Sequence, residues 1–387
     1  MKKKISILTA TRAEYGLLKP IIKKLNLIEE FDVRVVVTGS HLSPEFGLTY
    51  REIEQDNIKI DEKIEILLSA DTPTAISKSM GLAMISFADY FEKLKPDLLI
   101  VLGDRYETLA VATVAMNHRI PIAHLYGGET GAGTVDNMVR HAITKMSNLH
   151  FTATEEYRKR VIQLGEHPQK VYNVGALGVE NIKKIELLTK EEIEKNLDFK
   201  INEKTVLVTY HPLSLHDGDG LQFSIILEAL KKIDGIRIIF TKANADAGGR
   251  IINQMIDEFV SSNEVYSKAY TSLGALKYLS TLKYVKAVVG NSSSGIIEAP
   301  SIGTHTLNIG DRQNGRICGK SVIHCTMDEK EIYMKLTQIL SNYNKKTKFE
   351  NPYEKEDTSN NIVQIILNKL RSGCDVDKEF FDLEVNI

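Results

Sequence analysis

The stretch DLLIVLGDRYETLAVATVAMNHRIPIAHLYG (97–127) decides the fold class. Two apolar runs, DLLIVLG (97–103) and PIAHLYG (121–127), bracket a segment long enough for one helix. The runs are nearly continuous in hydrophobicity rather than alternating, as expected of strands covered by helices on both faces. A strand, a helix and a second strand make a βαβ unit, and its sheet is parallel. The same plan extends outward. ISILTA (5–10), VRVVVTG (33–39), LHFTAT (149–154) and KVYNVG (170–175) complete a first series of strands. TVLVTYH (205–211), IRIIFTK (236–242), NEVYSKA (263–269), VKAVVG (285–290), THTLNIG (304–310) and SVIHC (321–325) form a second. Helical spacing of apolar residues marks TAISKSMGLAMISFADYFEKL (74–94) and a last amphipathic helix around NIVQIILNKL (361–370). The charge-rich KKIELLTKEEIEKNLDFKINEK (183–204) reads as a linker with one surface helix, and 343–361 as a solvated loop. The expectation is an α/β protein of two similar domains, 1–180 and 181–356, facing across a cleft, with a helix at 357–375 packing back on the first.

Composition narrows the partners. The 387 residues carry 49 Lys and Arg against 51 Asp and Glu, a net charge of −2, so no broad basic field exists to hold nucleic acid or an anionic membrane. Cys318, Cys325 and Cys374 form no C-x-x-C pair and are odd in number, which points to a reducing compartment. The apolar run of MKKKISILTA (1–10) is too short for a secretory signal and is followed by Arg12 and Glu14. The stretch MGLAMISFADYF (80–91) is broken by Asp89 and falls short of a membrane span. A cytoplasmic protein without nucleic-acid or membrane partners is expected.

In parallel sheets of this kind ligands bind beyond the carboxyl ends of the strands, so the residues just after each apolar run carry the information. Arg12 follows the first strand at the start of a helix, where free N–H groups and the helix dipole favour an anion. Asp104 and Arg105 follow strand 97–103, as a structural ion pair or as a catalytic carboxylate beside an anion clamp. Next comes GGETGAGTVD (127–136). After Gly131 and Gly133 a dinucleotide fingerprint needs glycine at 136, where Asp136 stands, so nicotinamide binding is disfavoured. The glycines instead permit tight turns that bring Glu129 and Asp136 toward a ligand. A salt bridge from Asp136 to Arg140, one helical turn on, is the plain structural alternative. In the second half His211 ends a strand before Pro212, and Asn244 and Asp246 lie in the loop after the next strand. GNSSSG (290–295) sets three hydroxyls at a helix start. Ser292 and Ser293 there read as part of a phosphate cradle, and Glu298 one turn on suits ribose hydroxyls; the plain alternative is a Ser-rich N-cap, although three capping residues in a row exceed what one cap needs. Arg312 ends another strand. Arg12, Arg105, Arg312 and the serine loop outline a diphosphate site. No H-E-x-x-H, zinc-type Cys/His spacing, P-loop or G-x-S-x-G elbow occurs, so neither a metal nor a cofactor is expected.

Taken in order, TRAEYG (11–16), TGSHL (38–42), GDRYE (103–107), GGE (127–129), RHAITKM (140–146), VIQLGE (161–166), HP (211–212), DAG (246–248), GNSSSGIIE (290–298) and NIGDRQNGR (308–316) resemble the UDP-N-acetylglucosamine 2-epimerases, in particular the hydrolysing branch. The resemblance implies two Rossmann-like domains in a glycosyltransferase-B-type arrangement, the second gripping UDP and the first facing the sugar. It implies contacts to the nucleotide or its phosphates from Arg12, Arg105, Asn244, Asp246, Ser292, Ser293, Glu298 and Arg312. The catalytic set it implies is Asp104, Glu129, Asp136 and His211. The reaction would convert UDP-N-acetylglucosamine and water to N-acetylmannosamine and UDP through a glycal, for sialic acid synthesis. The alternative substrate is UDP- or GDP-2,4-diacetamido-2,4,6-trideoxyglucose, on the route to legionaminic acid. More distant alternatives are a glycosyltransferase of the same fold, which needs an acceptor, and a nucleotide-sugar sensor. A homodimer or homotetramer is a further implication.

Overall fold

The computed structural model describes residues 2–70, 72–131, 135–212, 219–243, 248–342, 348–374 and 376–384. The chain divides into two compact units, one of residues 1–129, 136–180 and 355–387, the other of 130–135 and 181–354. Asn244 and Asp246 lie outside the described residues.

The first unit holds a sheet of β1 (Lys3–Thr9), β2 (Phe31–Thr38), β3 (Ile60–Ile64), β4 (Leu98–Leu102), β5 (Ile122–Leu125), β6 (Leu149–Thr152) and β7 (Val171–Asn173), in the order β3-β2-β1-β4-β5-β6-β7. All its pairings are parallel. Alternate residues of β1 and β4 feed the two faces: Ile5, Ile7, Leu98 and Ile100 enter one core cluster, Leu8, Leu99 and Val101 the other. That two-sided burial is why these strands read as continuous apolar runs. β3 was not legible, because its sequence IDEKI is half exposed and charged, as suits an edge strand that must not recruit another chain. The helix Thr358–Ser372 packs its Ile362, Ile366 and Leu370 into the same cluster as Leu18 and Leu25 of the helix Arg12–Asn26. Glu180 accepts from the Ser359 amide (2.8 Å) and hydroxyl (2.9 Å), so a residue distant in sequence caps that helix.

The second unit repeats the plan with β8 (Thr205–Thr209), β9 (Arg237–Thr241), β10 (Ser267–Tyr270), β11 (Ala287–Gly290), β12 (His305–Ile309) and β13 (Val322–Cys325), in the order β10-β9-β8-β11-β12-β13. Its pairings are parallel too. In both sheets the strand order reverses beside the first strand, between β1 and β4 and between β8 and β11, and the loops leaving those strands flank the switch point where ligands bind in open α/β sheets. Two expectations need correction. The helix expected within 183–204 is present, Lys190–Leu197, but it does not merely lie on the surface: it buries Ile193 and Leu197, four residues apart, with Phe199 and Ile201 in a core cluster. And 343–361 is not solvated throughout, since Tyr353 is fully buried and its hydroxyl donates to the Ile317 carbonyl at 2.9 Å.

Candidate active site

The first unit's candidates are held by loops at the carboxyl ends of its strands. Thr11 caps the helix Arg12–Asn26. Its hydroxyl accepts from the Glu14 amide at 3.3 Å, while the Glu14 carboxylate reaches back to the amides of Ala10 (2.7 Å) and Thr11 (3.2 Å). This reciprocal cap fixes the turn from which Arg12 projects, and Arg12 meets Glu52 at 2.7 Å. Burial lifts the Glu14 carboxyl to about 7, against the opposing pull of the nearby Arg105. Arg105 forks onto Glu107, with Nε to Oε2 at 3.1 Å and Nη2 to Oε1 at 3.2 Å. Glu107 is wholly buried, so the guanidinium is oriented by a carboxylate with no access to water.

Asp104 leaves the turn after β4, where Gly103 takes φ +79°. Its carboxylate pairs with Arg140, which reaches out of the helix Asp136–Met146. A second nitrogen of Arg140 donates to the Glu129 carbonyl at 2.8 Å. Arg160 donates to the neighbouring Gly128 carbonyl at 2.6 Å. Two arginines therefore grip consecutive carbonyls of the G-G-E loop. Gly128, at φ +81°, cannot carry a side chain there, because a Cβ would run into the Tyr157 carbonyl. Asp104 and Glu129 are brought together through Arg140, and Asp136 opens the helix that carries it. The sequence offered Arg140 as a salt-bridge partner for Asp136; its ties to Asp104 and the Glu129 carbonyl were invisible there.

In the second unit the loops after β8, β11 and β12 meet on Asn291, which is 1% exposed. Its side chain accepts from the His211 amide and donates to the His211 carbonyl, both at 2.8 Å. Its own carbonyl accepts from Arg312 Nη1 (3.1 Å) and Gln313 Nε2 (2.7 Å). Asn291 thus joins His211 and Arg312, two candidates distant in sequence. It lies in G-N-S-S-S-G (290–295), where its neighbouring serines are the more obvious anion ligands and nothing in the sequence marks its reach to residue 211. Gly290, at φ +129°, lies so close to β8 that a Cβ would strike the Thr209 carbonyl. Ser292 Oγ accepts weakly from the Ser294 amide (3.4 Å), and Ser293 makes no side-chain cap. The serines are therefore not consumed in capping. The helical piece they open is short, Ser294–Ile297, and Glu298 follows it directly.

Among the described residues no cluster of three His, Cys, Asp or Glu could hold a metal ion, and no helix is long and apolar enough to cross a membrane. In the first unit the Asp104 carboxylate, fixed by Arg140, stands beside the loop of Glu129 and the helix of Asp136, a set able to do acid–base work; in the second, Arg312, the serines and the His211 imidazole are groups that can hold an anion.

A family model described as UDP-N-acetylglucosamine 2-epimerase matches residues 23–367. The chain is 44% identical over 329 residues, 85% of each protein, to the GDP/UDP-N,N'-diacetylbacillosamine 2-epimerase (hydrolyzing) of Campylobacter jejuni. It is 38% identical to the polysialic acid biosynthesis protein P7 of Escherichia coli, over 98% of both. It is 35% identical to the UDP-N,N'-diacetylbacillosamine 2-epimerase (hydrolyzing) of Legionella pneumophila, over 95% of this chain and 96% of that one. The UDP-GlcNAc 2-epimerase of Neisseria meningitidis, solved bound to UDP-GlcNAc, matches with a TM-score of 0.78 at 20% identity, over 94% of this chain and 100% of that one. The two parallel-sheet α/β domains are thus of the glycosyltransferase-B type.

Proposed function

Because the chain belongs to the UDP-N-acetylglucosamine 2-epimerase family, we propose that it is a hydrolysing 2-epimerase of a nucleoside-diphosphate-linked 2,4-diacetamido-2,4,6-trideoxyglucose, the sugar called N,N'-diacetylbacillosamine. The substrate expectation accordingly shifts away from UDP-N-acetylglucosamine. The observation that carries this reading is the 44% identity to the Campylobacter jejuni relative of that name. UDP-N-acetylglucosamine, with N-acetylmannosamine as product for sialic acid synthesis, is the second reading, and the 38% identity to a polysialic acid biosynthesis protein favours it.

In this proposal a carboxylate takes the proton from C2 and the bond from C1 to the diphosphate oxygen breaks, releasing the nucleoside diphosphate and leaving a glycal. Water then adds its oxygen to C1, and C2 is protonated on the opposite face. One water is consumed, and a free sugar with inverted C2 and a nucleoside diphosphate leave. Asp104, Glu129 and Asp136 share the proton transfers, with His211 assisting. Arg12, Arg105, Arg312, Ser292 and Ser293 stabilise the departing diphosphate. Asn244, Asp246 and Glu298 hold the rest of the nucleotide. The buried fork of Glu107 on Arg105 and the Asn291 clamp on His211 support the assignment, since both fix groups that such a reaction requires to be placed in advance. The protein is taken to act in the cytoplasm as a homodimer or homotetramer.

The test is free-nucleotide release without any acceptor, compared across UDP- and GDP-linked diacetamido sugars and UDP-N-acetylglucosamine. The largest kcat/KM is expected on a diacetamido sugar. A preference for UDP-N-acetylglucosamine transfers the assignment to the second reading, and dependence on an acceptor overturns both.

A further inference from the structure

The fully buried His124 of β5 takes no part in the proton transfers above, yet it touches the elements that carry them. Its Nε2 lies 2.8 Å from the Gly103 carbonyl, the residue before Asp104. Its Nδ1 lies 3.2 Å from the hydroxyl of Thr144, itself fully buried. Thr144 sits four residues beyond Arg140 and eight beyond Asp136, so all three share one face of the helix Asp136–Met146. The chain then runs from β5 through Gly127 to Glu129. Gly127 is part of the arrangement: a Cβ there would come within 3.1 Å of Thr144 Oγ1 and 3.3 Å of His124 Nδ1.

The tautomer follows from the partners. A carbonyl only accepts, so Nε2 carries the proton and donates to Gly103. Burial holds the ring neutral, pushing its pKa down to about 3, so Nδ1 is left as an acceptor for the Thr144 hydroxyl. One imidazole thereby links the turn of Asp104, the strand leading to Glu129 and the helix of Asp136 and Arg140.

We infer that His124 is a positioning residue for the reaction. Through Gly103 it sets where Asp104 points, and through Thr144 it sets the rotation of the helix that aims Arg140 at Asp104 and at the Glu129 carbonyl. This rests on the proposed hydrolysing 2-epimerase reading only for its catalytic consequence; the mechanical link stands on the hydrogen bonds.

The test uses the full-length protein and four substitutions. His124→Leu removes both bonds. His124→Gln returns a donor near the Nε2 position, His124→Asn an acceptor near the Nδ1 position, and Thr144→Val removes the hydroxyl while keeping its shape. With a nucleotide-linked diacetamido sugar, His124→Leu should lower kcat by about tenfold to a hundredfold. KM should stay within about threefold, because nucleotide contacts are untouched. Amide hydrogen exchange is the second readout. His124→Gln should restore protection at 103–107, His124→Asn at 136–144, and Thr144→Val should loosen 136–144 while sparing 103–107. Wild-type kcat in His124→Leu overturns the inference. So does exchange that rises evenly through the sheet and is not rescued bond by bond, which is what a simple core residue would give. Should His124→Leu fail to fold, the Gln, Asn and Val variants decide by the same criteria. If the wild type releases no nucleotide from any of the sugars, the functional proposal falls, and hydrogen exchange still decides the link.

Discussion

Asn291→Ala should destabilise the second unit and release His211. The side chain makes two hydrogen bonds of 2.8 Å to the backbone of His211 and is 1% exposed, so truncation leaves an amide and a carbonyl of the loop after β8 without their partner. Each orphaned group costs about 1–3 kcal/mol, and water entering the half-buried loop recovers part of it, so about 3 kcal/mol is the working figure. For a unit of this size that loss lowers the melting temperature by about 6–12 °C. The bonds from Arg312 and Gln313 go to the Asn291 carbonyl and survive, so the loop after β12 should stay in place while His211 is released. Calorimetry should therefore show destabilisation confined to the second unit, and kinetics a loss larger in kcat than in KM. Asn291→Asp sharpens the test. It keeps the acceptor for the His211 amide but sets a carboxylate oxygen against the His211 carbonyl, and should be as harmful as alanine. An alanine variant that melts within 2 °C of wild type, by the same conversion less than about 1 kcal/mol, and keeps its kcat refutes the reasoning.

Other outcomes follow from the same geometry. Burial raises Glu14 from 4.5 to about 7, so the folded protein binds that proton more tightly than the unfolded chain, and stability should fall as pH rises from 4.5 to 7 and then level off. The shift amounts to about 3 kcal/mol; Glu14→Gln keeps an acceptor for the Ala10 and Thr11 amides and should remove that slope, as denaturant titrations at pH 5 and pH 8 would reveal. Glu52 competes for Arg12 as a partly exposed pair, so Glu52→Gln should tighten UDP binding about two- to fivefold by calorimetry; unchanged or weaker binding removes Arg12 from the phosphate site. Gly290→Ala sets a methyl against the Thr209 carbonyl at a positive φ and should abolish soluble expression or the second unit's melting transition, whereas a normal melt contradicts the close approach of β8 and β11.

The strands legible in the sequence were those buried on both faces. β4 and β5 announced themselves because every residue along them is buried. β3 did not, because an edge strand protected by Asp61, Glu62 and Lys63 has the composition of a loop. The helix of Ile193 and Leu197 was underestimated for a related reason: two apolar residues one turn apart suffice to bury it, among so many charges that the stripe is hard to see. The site divided in a similar way. Charged residues directly after strands, Arg12, Asp104 and Arg105, are visible because the fold class says where to look. The groups that hold them are not, since Glu52, Arg140, Arg160 and Asn291 act across tens of residues, and no local pattern records which carbonyl an arginine will reach; Glu107, two residues from Arg105, was in view but its burial was not.

The most direct measurement is proton NMR of the products formed in D₂O from a nucleoside-diphosphate-linked 2,4-diacetamido-2,4,6-trideoxyglucose. Free nucleoside diphosphate and a free sugar of manno configuration with deuterium at C2 are the expected products. A released sugar that keeps its original C2 hydrogen, or an epimerised sugar still bound to the nucleotide, would contradict the proposed reaction.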